Sequence, residues 1–372
     1  MDSVYDLRHP EEILSPSVVL FREIVAANID RMIEIAGGCG RLRPHCKTHK
    51  IPQVVQMQLS RGITRQKAAT LAEAEMLALA GVRDIVLSYS LVGPNIDRAV
   101  RFVERFPEVQ FAAIADDAEM IVLLGHAMRK AGRTIGLLLD INPGRDRTGV
   151  PLGETALELY RIIDETPGVE PAGLHLYDGH QGQSDFDERC AAVDVVWQQL
   201  LEFRDQLTKA GFSVPRLICG GSPTFPVYAR YDEPTLEFSP GTLIFHDAGY
   251  GERFPDLTGF RPAALVLTRV IARPTESRVT FDVGTKGVAS DPPMGQRVVL
   301  PALPDAVQVL QNEEHLVVET AFAGRWKPGD WTLAIPRHVC PTSALHQEVT
   351  VIEQGEIVDY WPVTARDRRL TI

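Results

Sequence analysis

The stretch GLHLYDGHQGQSDFDERCAAVDVVWQQLLEFRDQLTKAGFSVPRLIC, Gly173 to Cys219, reads as a strand, a helix and a second strand. Gly173 to Tyr177 and Arg216 to Cys219 are short apolar runs of strand length. Between them, over Phe186 to Ala210, Ala192, Val195, Val196, Leu200 and Leu201 recur at three- and four-residue spacing, and Gly211 supplies a helix stop. The same alternation extends in both directions. Further strands are predicted near Arg41 to Pro44, Lys67 to Thr70, Asp84 to Ser88, Gln110 to Ala115, Ile135 to Asp140 and Leu236 to Phe238. Eight strand-plus-helix units in a row predict a (β/α)8 barrel of the TIM type. A strand at Val18 to Phe21 and a helix near Ile24 to Ala36 precede the count.

Beyond Phe245 the texture changes. Ala263 to Ile271, Arg278 to Asp282, Arg297 to Leu300, His315 to Glu319, Thr332 to Ile335 and Val349 to Ile352 are short β-branched runs broken by Pro, Gly and Asp, which predicts a C-terminal all-β domain. The expected division is a barrel over residues 16–245 and a β domain over 246–372 that also takes in 1–15. The early strand is available to pair with that second domain. A length of 372 residues suits such a pairing of a large and a smaller domain.

With 45% hydrophobic and 23% charged residues the composition is that of a globular protein. A net charge of −11, with no block of Lys or Arg, argues against nucleic acid as a partner. Cys39, Cys46, Cys190, Cys219 and Cys340 are odd in number and widely spaced, which suits reduced thiols. The opening MDSVYDLRHPEE lacks the basic start and apolar run of a secretion signal, and no apolar run approaches the ~18 residues of a membrane helix. The expectation is a cytoplasmic protein that does not enter the membrane.

In a barrel of this type, chemistry sits at the C-terminal ends of the strands. There the sequence places His45, Lys47, Thr48 and His49, then Asn142, Arg145 and Arg147, then His175, Tyr177, Asp178 and His180. Gly220, Gly221, Ser222, Pro223 and Thr224 follow the seventh strand, the usual phosphate position. Two glycines admit backbone N–H groups to an anion, the hydroxyls of Ser222 and Thr224 add donors, and Phe225 to Tyr231 offers a helix start. An ordinary glycine turn is the alternative. Lys47 lies in RPHCKTHK beside Arg43, His45, His49 and Lys50. Crowded cations favour an uncharged, nucleophilic amine there, as a Schiff-base lysine requires; the alternative is a solvated basic loop. His338 and Cys340, as His-Val-Cys, share one face of an extended segment and suit Zn²⁺; a buried Cys beside a hydrogen-bonded His is the plainer account. Glu313, Glu314 and His315 are candidates for completing a polar site, against a solvated strand edge.

Eight blocks, in order, carry a resemblance over nearly the whole chain. They are RPHCKTHK (Arg43 to Lys50), ATLAEAEML (Ala69 to Leu77), DINPGRDRTGV (Asp140 to Val150), GLHLYDGH (Gly173 to His180), GGSPTFP (Gly220 to Pro226), SPGTLIFHDAGY (Ser239 to Tyr250), FDVGTKG (Phe281 to Gly287) and PRHVCPTSALH (Pro336 to His346). Together they resemble the D-threonine aldolase and D-serine dehydratase family, pyridoxal 5′-phosphate (PLP) enzymes of alanine racemase-like fold, fold type III. The resemblance implies a PLP barrel with a C-terminal β domain, assembled as a homodimer. It implies that Lys47 is the Schiff-base lysine, and that Arg147 meets the cofactor ring's 3-oxygen. Tyr177, Gly220, Gly221, Ser222 and Thr224, with Gly241 and Thr242, are implied cofactor and phosphate contacts. His338 and Cys340 are implied ligands of a divalent metal, Zn²⁺ or Mn²⁺. In aldolase relatives the second ligand is commonly Asp, whereas His-x-Cys belongs with the dehydratases; the YDGH block and the C-terminal run resemble aldolases.

The implied reaction is retro-aldol cleavage of a D-3-hydroxy amino acid to glycine and an aldehyde, with His180 as the base. The alternatives are β-elimination of the D-serine dehydratase type to an oxo acid and ammonia, a racemase, which has no use for the metal pair, and a PLP-binding protein without catalysis.

Overall fold

Backbone hydrogen bonding in the computed structural model, which describes residues 3–372, sorts the strands into two sheets. The first strand is β1 (Ser17–Phe21). Then come β2 (Arg65–Ala68), β3 (Asp84–Leu87), β4 (Gln110–Ala115), β5 (Ile135–Ile141), β6 (Val169–Leu176), β7 (Leu217–Cys219) and β8 (Leu236–Phe238), paired in parallel in that order. The predicted first barrel strand, Arg41 to Pro44, is not a regular strand, yet it links the two ends of this sheet. Leu42 bridges Phe238 and His45 bridges Lys67, both in parallel. Arg43 N–H donates to the Phe238 carbonyl (2.8 Å), and Lys67 N–H to that of Pro44 (2.9 Å). Pro44 has no N–H to give, which breaks the ladder at that stave.

Inside the ring, Val86, Ala112, Ile114, Leu138, Ala172 and Ile218 pack from five neighbouring strands, all at 6% exposure or less. Burial of each larger side chain contributes about 1.5–3 kcal/mol. At the strand N-terminal ends Arg43 is fully buried, paired with Glu237 and with Asp84 (2.9 Å), and Arg65 reaches Glu237 (3.1 Å).

The helix read between the quoted strands spans Phe186–Lys209, and Asp185 caps it by accepting from Glu188 N–H (2.9 Å). Its buried face differs from the predicted one: Cys190, Val193, Trp197, Leu200, Phe203 and Leu207 face inward, whereas Val195 is 60% exposed. The stripe rotates to bury the large aromatic rings, which remove more area from water than valine.

The second sheet contains β9 (Ala264–Ala272), β10 (Arg278–Phe281), β11 (Val298–Val299), β12 (Val307–Gln311), β13 (Leu316–Glu319), β14 (Trp331–Pro336), β15 (Glu348–Glu353) and β16 (Glu356–Pro362). Its main path is β12-β13-β10-β9-β1-β15-β16, with β14 pairing β9 and β11. β1 runs parallel to β15 and antiparallel to β9. Two strands went unpredicted. β12 is largely exposed and has no clean alternation. β16 is joined to β15 by Gln354 and Gly355, both at positive φ (52° and 82°), and glutamine hides a turn that asparagine would announce.

The chain divides into two compact units. One comprises Met1–Arg31, Thr48–Val54 and Thr242–Arg366; the other comprises Met32–Lys47, Val55–Gly241 and Asp367–Ile372. Among the described residues no helix is long and apolar enough to cross a membrane.

Candidate active site

Lys47 sits in a single 3-10 turn, Cys46–Thr48, just after the closing stave of the barrel. His45 Nδ1 accepts from Lys47 N–H (3.3 Å), His45 Nε2 lies 3.2 Å from Ser88 Oγ, and Cys46 Sγ–H donates to Glu73 (3.6 Å). Two of the cations predicted to crowd Lys47 do not act as free charges. Arg43 is spent on its buried carboxylates, and burial drives His49 down to about 3, so its ring is neutral. The coupled cation is instead Lys67 on β2. Burial, and then the charge of Lys47, lower it to about 7. Its Nζ is 3.2 Å from His175 Nε2, and His175 Nδ1 is 2.7 Å from Asp140 Oδ1, a buried Lys-His-Asp chain across β2, β6 and β5. Lys67 was missed as a site residue; the signal for it was a lysine on a predicted barrel strand.

Tyr177, just beyond β6, gathers the other predicted residues. Lys47 Nζ lies 5.8 Å from its ring centroid, and the guanidinium carbons of Arg147 and Arg145 lie at 4.7 and 5.8 Å. A Cβ on Gly221 would come within 2.9 Å of the same ring. Gly220 has φ +77°, and a Cβ there would meet Tyr228 and Thr224 at 2.8 and 2.9 Å. Both positions need glycine. Thr224 Oγ1 accepts from Gly221 N–H (3.1 Å) and donates to Asp178 (2.7 Å). Its one hydroxyl hydrogen is therefore committed within the protein. Thr224 is a strut for the loop where a direct anion donor was expected, and the segment after it is only a one-turn helix, Phe225–Tyr228. Ser222 Oγ accepts from Gly241 N–H (3.1 Å), which ties Gly241 to the loop. Burial raises Asp178 to about 6 despite the Thr224 bond. An aromatic face among cations, beside a side-chain-free glycine cradle, fits a planar anionic cofactor such as PLP.

His180 is exposed, with Nε2 3.3 Å from the Gln181 amide. Partial burial, then Arg145, lower its pKa, so the ring is a proton acceptor at neutral pH.

In the other unit, His338 and Cys340 do not share an extended segment. His338 is the N-cap of the helix Val339–Leu345, and Cys340 lies in its first turn. The helix turn still brings the thiol into hydrogen-bonding contact with the imidazole. His338 Nδ1 is 2.5 Å from Asp291 Oδ2, and Cys340 Sγ is 3.2 Å from Thr48 Oγ1 and 3.5 Å from Thr242 Oγ1. Burial pulls the imidazole down, but Cys340 and Asp291 outweigh it and push it up to about 9. A proton thus sits where a cation would bind. One imidazole nitrogen and one sulfur, with a carboxylate orienting the ring, fit Zn²⁺. Asp247, also missed, accepts from Tyr250 N–H (2.9 Å) and Val339 N–H (3.0 Å) and so pins the backbone between the two donors. Nothing in local spacing links Asp291 or Asp247 to His338. Glu313 and Glu314 are not part of this cluster; they are exposed and pair with Lys286 (3.1 and 3.3 Å) in the turn between β12 and β13, where His315 is exposed as well.

The family model for the alanine racemase N-terminal domain matches residues 22–248, and one for a serine dehydratase domain matches residues 263–352. A D-threonine aldolase of Arthrobacter sp is 29% identical over 363 residues, covering 95% of this chain and 92% of that protein. A 3-hydroxy-D-aspartate aldolase of Paracoccus denitrificans (strain Pd 1222) is 29% identical over 371 residues, covering 96% and 93%. The crystal structure of a D-threonine aldolase from Filomicrobium marinum superposes with a TM-score of 0.87 at 27% identity, covering 95% of this chain and 96% of that one. With a PLP barrel of the alanine racemase type followed by a dehydratase-type β domain, the chain belongs to the D-threonine aldolase and D-serine dehydratase family of PLP-dependent, alanine racemase-like proteins.

Proposed function

We propose that this protein is a PLP- and divalent-metal-dependent lyase that cleaves D-3-hydroxy-α-amino acids to glycine and an aldehyde, and that it works as a cytoplasmic homodimer. The observation that carries the proposal is a nitrogen and sulfur donor pair with carboxylate backing, in a chain similar over 95–96% of its length to two aldolases. A racemase has no use for such a pair.

Lys47 would hold the cofactor covalently. Arg147, Tyr177 and the Gly220 to Thr224 loop, with Gly241 and Thr242, would hold its ring and phosphate. When bound, PLP supplies the electron sink for the pair left on Cα. His338 and Cys340 would hold Zn²⁺ or Mn²⁺, which lowers the pKa of the substrate's 3-hydroxyl. His180, neutral at working pH, takes the hydroxyl proton. The Cα–Cβ bond breaks as the carbonyl forms, and a proton returns to Cα, so atoms balance as glycine plus aldehyde.

The dehydratase alternative is kept by the His-x-Cys pair and by the serine dehydratase match over residues 263–352. Incubation with D-threonine decides between them: the aldolase yields glycine and acetaldehyde without ammonia. Ammonia and 2-oxobutanoate released at the rate of substrate loss, with pyruvate from D-serine, would overturn the proposal.

A further inference from the structure

Resting on that function, we infer that Arg145 is the receptor for a second carboxylate, so that the preferred substrates are D-3-hydroxy amino acids with an acidic side chain, of the 3-hydroxyaspartate type.

The loop from Asn142 to Val150 is built to present two arginines. Asn142 Oδ1 accepts from Gly144 N–H (3.0 Å) and Asp146 N–H (3.1 Å), and its amide donates to Asp146 Oδ1 (3.0 Å). Asp116 accepts from Gly149 N–H (2.8 Å), and Asn142 N–H donates to the Val150 carbonyl (2.9 Å). Asp146, at φ 54°, is turned back onto Asn142. The acid between the two arginines is thereby used to shape the loop.

Among the described residues neither Arg145 nor Arg147 has a carboxylate partner, although the chain carries 49 acidic side chains against 38 basic ones. Both guanidinium groups face Tyr177 with Lys47, so three cations surround one ring. If Lys47 holds the cofactor and Arg147 meets its ring oxygen, Arg145 is left over. A planar guanidinium at the rim of a site, without an internal acid, is suited to bidentate binding of a carboxylate. Cleavage of 3-hydroxy-D-aspartate balances as glycine plus glyoxylate: Cα–Cβ breaks, the hydroxyl proton leaves as the aldehyde forms, and Cα gains a proton, with no oxidant or reductant.

The test is calorimetric binding of D-aspartate and D-alanine to the holoenzyme, in wild type, Arg145→Ala and Arg145→Lys. Wild type is expected to prefer D-aspartate by roughly tenfold or more, the worth of one charge-assisted pair. Arg145→Ala should erase that preference while moving D-alanine by less than about threefold, and Arg145→Lys should keep part of it. Equal affinities in wild type, or equal losses for both amino acids in Arg145→Ala, would overturn the inference; the second outcome makes Arg145 the partner of the α-carboxylate. Neither amino acid carries a 3-hydroxyl, so the contrast is readable even if the lyase assignment fails. That failure would show separately, as no aldehyde from either D-threonine or 3-hydroxy-D-aspartate.

Discussion

Two lysines of the barrel unit have the chemistry to hold an aldehyde cofactor. Lys67 is the one whose pKa burial lowers to about 7, but its Nζ is committed to His175, itself tied to Asp140. Lys47 instead lies over the Tyr177 ring, 5.8 Å from its centroid, as Arg147 does at 4.7 Å. Borohydride reduction of the holoenzyme followed by peptide mapping should therefore place the label on Lys47, and Lys47→Ala should lose its cofactor on dialysis. Label on Lys67 would transfer the role. RPHCKTHK nominated Lys47 through a crowd of cations that the fold disperses: Arg43 and His49 are neighbours in sequence, but one is neutralised by carboxylates from β3 and β8 and the other by burial.

At the scale of the element, the 220–224 loop is a hydrogen-bonded unit whose centre is Thr224. Thr224→Val strands both Gly221 N–H and the Asp178 carboxyl, and should weaken cofactor binding by about 1–3 kcal/mol. Gly221→Ala drives a methyl into Tyr177 and should weaken it further. Titration of the apo-protein with PLP measures both, and unchanged affinity in the pair would move the phosphate elsewhere. Asp178 adds a pH signature. Its pKa is raised from 3.8 to about 6, so between those values the folded state keeps a proton that the unfolded state has lost. The contribution of this group to stability therefore falls as pH rises through that window. Urea midpoints of the apo-protein from pH 4 to 7 should show that slope, and Asp178→Asn should flatten it; parallel curves would refute the titration.

At the scale of the whole molecule, Lys47 and the His338–Cys340 pair belong to different units of the chain. The two chemistries should be separable. Chelation is expected to stop turnover while leaving the cofactor on Lys47, with activity restored by Zn²⁺ or Mn²⁺. Cys340→Asp should shift the preference towards Mn²⁺, since a carboxylate is the harder ligand. Chelator-insensitive turnover would remove the metal from the mechanism.

Periodicity along the chain was enough for the alternating strands and helices of the parallel sheet and for the change to β structure after Phe245, because apolar spacing is a local property that each element expresses alone. Block order was enough for the family. Tertiary structure decided what depends on pairs far apart in sequence. It closed the ring through Leu42 and His45 in place of a regular strand, set β1 between β9 and β15, and turned the long helix onto Trp197. It also bound Thr224 to Asp178, 46 residues away, and His338 to Asp291, 47 away. Hydrogen bonds and burial act through space, and a side chain's protonation and partners follow from neighbours that sequence spacing does not encode.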